Sequence, residues 1–144
     1  MNFRGTHDYS LDAKNRLTVP ARFRASLSDG VTLALGLERC IDLWVPAAFE
    51  AHVRTVLDGM HPLSIEFEKI NRFYSANSFD TELDSAGRVM VPKPMLEHAG
   101  LTKDVVVTGA ASRLEVWDRA TWTTYNAALH SDVREIRGAL GHAA

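Results

Sequence analysis

Three neighbouring residues near the start of the chain carry the side-chain types of a hydrolase triad. His7, Asp8 and Ser10 supply an imidazole, a carboxylate and a hydroxyl group. All three fall within four positions of one predicted strand, and the sequence has no Gly-x-Ser-x-Gly turn that would expose a nucleophilic serine. We therefore expect no hydrolase activity, and we do not expect the protein to be an enzyme.

Metal and phosphate-loop chemistry also lack a matching pattern in the sequence. The histidines do not show the His-x3-His spacing of a zinc site, and Cys40 has no second cysteine with which to share a metal. The six histidines are His7, His52, His61, His98, His130 and His142. A Gly-rich phosphate loop is absent as well. We expect neither a metal nor a cofactor.

An Asp-x-x-x-Arg motif occurs twice, with Asp12 and Arg16 in one copy and Asp84 and Arg88 in the other. An arginine guanidinium can bind a phosphate, or the O6 and N7 atoms of guanine, through two parallel hydrogen bonds. An aspartate and an arginine four positions apart can also simply pair with each other, which contributes about 0–1 kcal/mol when the pair is exposed. The motif alone leaves both interpretations open.

An internal repeat surrounds the two motifs. The segment LDAKNRLTVP (11–20) matches LDSAGRVMVP (83–92) at a constant offset of 72 residues, with Leu, Asp, Arg, Val and Pro in common. Further along the offset becomes 73, where Trp44 meets Trp117. A similarity that continues in register this far indicates two copies of one short β-rich half.

Each half predicts the same local structure. A strand enters a tight turn in which Asn15 or Gly87 adopts the left-handed conformation, and Asp12 or Asp84 accepts hydrogen bonds from the turn amides. A second strand then ends at a proline, which opens a short helix, and a β-hairpin follows. We therefore expect Asp12, Asp84 and Gly87 to shape the turns.

Apolar residues at helical spacing predict two helices between the halves and one after them. The first stripe begins at Phe49, the second begins at Leu63, and the third begins near Trp122. We expect these stripes to serve the core or contacts between subunits. The chain accordingly divides into a first half, a helical connector, a second half and a C-terminal helix or tail, over residues 5–47, 48–75, 76–120 and 121–144.

Composition and charge narrow the classes of function. The 144 residues include no apolar run of the length, about 20 residues, that a membrane helix needs. A lone cysteine and a start without a signal-like apolar stretch predict an intracellular protein. The net charge of −2 argues mildly against nucleic-acid binding, but residues 1–24 carry five basic residues against two acidic ones. Because salt limits charge effects to about 8–10 Å, a phosphate would feel this local excess.

The motifs together resemble a known family. The repeated strand–turn–strand–Pro–helix–hairpin pattern is similar to the swapped-hairpin, AbrB-type DNA-binding fold. Two copies in one chain, the opening FRGTHDYSLDAKNRLTVPARFR, and HAGLTKDVVVTG followed by LEVWD-x-x-x-W resemble the MraZ family of bacterial transcription regulators over residues 3–122. The resemblance implies an α+β, β-rich fold in which the two halves interleave into one pseudo-twofold β-barrel unit, with short and peripheral helices.

The resemblance also implies a function. Members of this family are expected to bind double-stranded DNA at direct repeats in the promoter of their own division and cell-wall operon, and often to repress it. They are expected to form ring-shaped homo-oligomers and to associate with the nucleoid in the cytoplasm. The candidate DNA-binding residues of this chain are Arg4, Lys14, Asn15, Arg16 and Arg88.

The pseudo-twofold symmetry is expected to place Arg16 and Arg88 side by side. The two halves are not equivalent in charge, because Ala86 occupies the position that Lys14 holds in the first half. We therefore expect the first half to dominate the electrostatic contact with DNA.

Two other functions remain open. A ring-forming scaffold protein without sequence-specific DNA binding would fit the negative net charge, the apolar stripes and the aromatic second hairpin. An antitoxin-like module that binds a toxin is a further possibility within the swapped-hairpin class. That module is expected to have a single half and a disordered tail, whereas this sequence predicts two halves and a helical tail.

Overall fold

The computed structural model describes residues 2–141, in which two similar runs of strands and helices follow one another. The strands are β1 (Thr6–Ser10), β2 (Arg16–Thr18), β3 (Val31–Leu35), β4 (Ile41–Trp44), β5 (Ser78–Thr81), β6 (Arg88–Met90), β7 (Asp104–Gly109) and β8 (Leu114–Asp118). The helices are α1 (Ala21–Arg24, extended by one 3₁₀ turn), α2 (Pro46–Asp58), α3 (Ile65–Ala76), α4 (Lys93–Ala99) and α5 (Arg119–Ala139). Residues 142–144, including His142 and the end of the predicted tail, lie outside the described part.

The strands form a six-stranded antiparallel sheet and a separate two-stranded ribbon. The order in the sheet is β1-β7-β8-β4-β3-β5, and the ribbon pairs β2 with β6. Strand β1 of the first half pairs with β7 of the second, while β5 of the second half pairs with β3 of the first. This exchange of strands shows that the halves interleave, and the predicted α+β class is confirmed.

The expected closed barrel does not form. Within residues 2–141 the two edge strands of the sheet, β1 and β5, are not hydrogen-bonded to each other. After Leu11 and Leu83 the chain turns out of the six-stranded sheet, so that β2 and β6 pair with each other instead of extending the edges. The result is an open sheet accompanied by a short ribbon.

Two strand pairings lie on the pseudo-twofold axis. Leu17 faces Val89 in the ribbon, and Asp42 faces Glu115 where β4 meets β8. The members of each pair occupy equivalent positions of the repeat, so these registers agree with the offsets of 72 and 73 residues. Leu17 and Val89 are at most 1% exposed, and burying an aliphatic side chain of this size contributes about 1.5–3 kcal/mol. Because side chains alternate along a strand, the flanking ribbon residues face the other way.

The structural similarity of the halves continues into α2 and α5. The ring of Trp44 stacks on that of His52 in α2 at 4.8 Å, and the ring of Trp117 stacks on that of Tyr125 in α5 at 4.7 Å. His52 and Tyr125 are again 73 positions apart. The similarity of the two halves therefore continues into the helices that follow residues 47 and 120.

No helix in the described residues combines the length and apolar character needed to cross a membrane.

Candidate nucleic-acid interface

The first Asp-x-x-x-Arg motif forms a turn built around one carboxylate. Oδ1 of Asp12 accepts hydrogen bonds from the backbone N–H groups of Lys14 and Arg16, both at 2.9 Å. The backbone N–H of Asn15 donates to the carbonyl of Asp12 at 2.9 Å, and Asn15 has a φ of 59°. Asparagine tolerates this left-handed conformation better than most residues, which explains its place in the turn.

The second motif repeats this geometry. Oδ1 of Asp84 accepts from the backbone N–H groups of Ala86 and Arg88, both at 2.9 Å, and Gly87 has a φ of 75°. The predicted left-handed conformation is therefore present at Gly87 as it is at the equivalent Asn15. In each turn the backbone donors lower the pKa of the aspartate, with the N–H of the arginine as the largest cause and the guanidinium as a further one.

Each aspartate also holds the arginine of its own motif. Nε of Arg16 lies 2.7 Å from Oδ2 of Asp12, and Nε of Arg88 lies 2.8 Å from Oδ2 of Asp84. Within residues 2–141 neither arginine uses its terminal amino groups in a hydrogen bond. The aspartate–arginine ion pair, which the sequence left open as the alternative to ligand binding, is thus present. It uses only the Nε–H of each guanidinium. The terminal donors remain available to a ligand.

The β2–β6 ribbon joins the two turns. The backbone N–H of Val91 donates to the carbonyl of Asn15 at 3.0 Å, and that of Val19 donates to the carbonyl of Gly87 at 2.9 Å. Each turn is therefore fixed by the strand end of the other half. This cross-connection makes the spacing of the two arginines a property of the ribbon.

The two arginines share the outward face of the ribbon but are not directly side by side. Arg16 is paired with Met90, and Arg88 is paired with Thr18. Because the strands are antiparallel, Arg16 and Arg88 stand at diagonal corners of a four-residue patch, offset by about 7 Å along the strands. Met90 is 59% exposed and adds an apolar surface beside Arg16.

The other candidate residues divide into two groups. Lys14 and Asn15 are exposed in the first turn, next to Arg16. Arg4 is also exposed but precedes the start of β1, next to the chain turn at Ala111. Since β1 runs from that end towards Asp12, Arg4 lies roughly 20 Å from the turn along the strand direction. The structure therefore does not bring Arg4 into the same cluster.

One cation near the turns had not been predicted from the sequence. Nε of Arg24, in α1, donates to the carbonyl of Val19 at 2.9 Å, and its side chain passes over Gly87. Arg24 is 63 positions from Gly87 in the chain, and no local pattern connects the two. Only the pairing of β2 with β6 brings them together.

The residues that suggested a hydrolase triad do not converge. Asp8 and Ser10 are exposed, while the alternation of β1 turns His7 to the opposite face, where its ring lies 5.7 Å from that of Phe23. Ser10 instead donates to Asp104 at 3.3 Å. The three side chains serve separate contacts.

A buried cluster on the pseudo-twofold axis brings metal-ligand atoms together. Atoms of Cys40, Asp42 and Glu115 lie within 4.8 Å of one another. Arg113 is paired with both carboxylates, at 3.4 Å from Asp42 and 3.0 Å from Glu115. Burial raises the pKa of Asp42 to about 7, against the opposing effect of Arg113, and burial also raises the pKa of the Cys40 thiol. Arg113 already pairs with both carboxylates, so within the described residues this cluster is an internal ion-pair network.

Comparison with known proteins identifies the family. The family model described as "MraZ protein, putative antitoxin-like" matches residues 2–61 and 75–136. The chain belongs to the MraZ family. The two matched segments include α2 and most of α5, in agreement with the extended repeat seen in the aromatic clusters.

Relatives with the printed name "Transcriptional regulator MraZ" match most of the chain. The protein of Cutibacterium acnes is 37% identical over 129 residues, which cover 88% of each chain. The protein of Micrococcus luteus is 39% identical over 123 residues, or 85% of each chain. That of Salinispora tropica is 36% identical over 134 residues, or 93% of this chain and 94% of the relative. These names describe the MraZ family as transcription regulators, which are not a class of enzymes.

Proposed function

We propose that this MraZ-family transcription regulator binds double-stranded DNA sequence-specifically through the outward face of the β2–β6 ribbon. The main support for this proposal is the arrangement of the two motif arginines. Arg16 and Arg88 are each held at Nε by an aspartate, share one face, and keep their terminal amino groups unbonded within the described residues. Orienting a guanidinium in advance reduces the entropy lost when it binds a ligand.

The shape of the ribbon suits the major groove of DNA. That groove is about 12 Å wide and admits a two-stranded β-ribbon. Arg16 and Arg88 would bind guanine O6 and N7 or a phosphate with two hydrogen bonds each, and Lys14 at the first turn would bind a phosphate. Asn15 stands next to Lys14 and completes this surface. Arg4 lies outside the proposed interface because of its place at the far end of β1.

Self-association is part of the proposed function. Val133 and Ile136 on α5 and Leu140 at its C-cap follow one another at helical spacing and are 44%, 59% and 65% exposed. An uncovered apolar stripe of this kind supports contacts between copies of the chain. A ring-shaped homo-oligomer would present several ribbons at a regular spacing to direct repeats in a promoter, and tethering can raise affinity by about 10²–10⁴.

We propose that the promoter is that of the protein's own operon, which it represses, and that the protein is cytoplasmic and associated with the nucleoid.

A gel-shift assay tests the DNA-binding proposal. The probe is the DNA upstream of the protein's own gene, compared with a shuffled probe of equal length. We expect the native probe to bind at least roughly 10³-fold more tightly, as is usual for specific regulators. Arg72→Ala is a control variant that should bind the native probe like the wild type. Arg72 forms an exposed i,i+4 pair with Glu68 on α3, away from the ribbon. Equal binding of both probes would support the scaffold alternative instead.

Light scattering on the same samples tests the assembly. We expect a discrete multi-subunit species, and we expect probes with two or three repeats to bind more tightly than a probe with one. A monomer that binds one repeat as tightly as three would contradict the proposed assembly. A reporter gene behind the native promoter separates repression from activation.

A further inference from the structure

The two left-handed turn residues have different surroundings. Asn15 is exposed, whereas Gly87 is buried although it occupies the same position of the repeat. The side chain of Arg24 covers Gly87: a Cβ atom added there would lie 2.4 Å from Nε and 2.6 Å from Cδ of Arg24. An arginine from the first half is therefore held against the turn of the second half.

The first turn has no counterpart of this arginine. The position equivalent to Arg24 in the second half is Leu96, which packs against the core. The first turn has Lys14 instead, where the second has Ala86. Each turn is thus accompanied by one cation besides its motif arginine. At the first turn that cation belongs to the turn, and at the second it comes from the other half.

Arg24 borders a shallow depression beside the second turn. The depression has a volume of about 270 Å³ and is lined by Ser28, Leu83, Asp84, Ser85 and Gly87 in addition to Arg24. Nε of Arg24 is fixed by the carbonyl of Val19, and the terminal amino groups make no hydrogen bond within residues 2–141. Ser85 is exposed and adds a hydroxyl donor, where the first turn has Ala13.

The one acidic residue among those that line this depression, Asp84, already has hydrogen-bond and ion-pair partners. The carboxylate of Asp84 accepts two backbone N–H groups and the Nε–H of Arg88. Its charge is therefore offset by Arg88, which leaves the guanidinium of Arg24 as the unpaired charge in the depression. An anion with several oxygen acceptors fits such a planar donor group best.

We infer that Arg24 and Ser85 form a binding site for one phosphate of the DNA backbone, next to the second turn. This inference rests on the proposed DNA-binding function. It assigns to Arg24 at the second turn the role that Lys14 has at the first. Both turns then contribute a phosphate contact, but Lys14 and Arg24 both belong to the first half, so the expected dominance of the first half in the electrostatic contact stays a prediction.

The test measures log K against log salt for binding to the upstream DNA. We expect Arg24→Gln to lower the slope by about 1 and to weaken binding to specific and shuffled DNA by the same factor. Arg72→Gln is the control and should leave the slope unchanged. Adding Ala86→Lys to Arg24→Gln should restore the slope, because it places a lysine where the first turn has one.

Ser85→Asp provides a variant that leaves Arg24 in place. Ser85 is exposed, so the substitution should preserve the melting temperature while its carboxylate repels a phosphate, and we expect binding to weaken roughly tenfold. Unchanged affinity of Ser85→Asp, or an unchanged slope for a folded Arg24→Gln, overturns the inference while leaving the proposed function intact. Failure of the wild-type protein to bind either probe overturns both.

Discussion

The two Asp-x-x-x-Arg turns have the same backbone but different surfaces. In both, one aspartate accepts two backbone N–H groups and holds the arginine at Nε. The first turn is open, with Lys14 and Asn15 exposed to solvent. The second turn carries no cation at its tip, and its Gly87 is covered by Arg24.

Comparison of the two turns separates the requirement for a backbone geometry from the requirement for positive charge. A single turn would not distinguish them. Geometry is conserved between the turns because the aspartate, the left-handed residue and the ribbon pairing set it. Charge is not fixed by that geometry, and the chain can supply it from the turn itself or from a helix of the other half. Similar backbone geometry therefore does not imply that the two turns bind DNA through the same set of side chains.

The largest expected effect follows removal of a motif arginine. Arg16→Ala and Arg88→Ala should each lose about 1–3 kcal/mol per bound copy, because each removes a two-bonded contact. Losses add over the copies bound, so specific gel shifts should disappear while the melting temperature stays near that of the wild type. Comparable losses for the two variants would agree with a shared contact. A much smaller loss for Arg88→Ala than for Arg16→Ala would support the predicted dominance of the first half.

Substitutions at the two left-handed positions, Gly87 and Asn15, should differ in their effect on the free energy of unfolding. Gly87→Ala should lower the free energy of unfolding by about 1–3 kcal/mol, because alanine is strained at positive φ and its Cβ would collide with Arg24. Asn15→Gly should be nearly neutral, because glycine accepts the same φ and the site is exposed. Urea unfolding measures both variants. A Gly87→Ala variant as stable as the wild type would show that neither the positive φ nor Arg24 constrains the second turn.

The lysine at the first turn can be removed or transferred. Lys14→Ala should lower the slope of log K against log salt by about 1, since one phosphate contact is lost. Ala86→Lys in the wild-type background should make the slope of log K against log salt steeper by a similar amount or less, because Arg24 is already beside that turn. Filter binding between low and moderate salt measures both slopes. A slope that does not respond to Lys14→Ala would remove this lysine from the interface.

The smallest expected effect concerns pH. The turn hydrogen bonds lower the pKa of Asp12 and of Asp84 below the unfolded value near 3.8. Their stabilisation is therefore complete above that value and is lost as the pH falls through the lowered folded pKa. Asp12→Asn and Asp84→Asn should each reduce this acid-dependent loss of melting temperature by a similar amount. A clearly unequal reduction would show that the turns differ in geometry as well as in charge.

Local features of the fold were predictable from the sequence, and long-range ones were not. The left-handed conformations of Asn15 and Gly87 follow from neighbouring residue types, as do the strands ended by proline. The open edges of the sheet and the position of Arg24 depend on strand pairings between residues more than 40 positions apart. The distance of Arg4 from the turns also becomes visible only once the direction of β1 is known.

The pairing of β1 with β7 has a consequence for synthesis of the chain on the ribosome. Thr6 lies opposite Thr108, so the first strand has no partner in the sheet until about a hundred further residues have been added. At about 5–20 residues per second this interval lasts roughly 5–20 s. During that time the nascent first half exposes an unpaired strand and the apolar residues that β7 will cover. Chaperone capture of the nascent chain would therefore be concentrated before translation of the second hairpin.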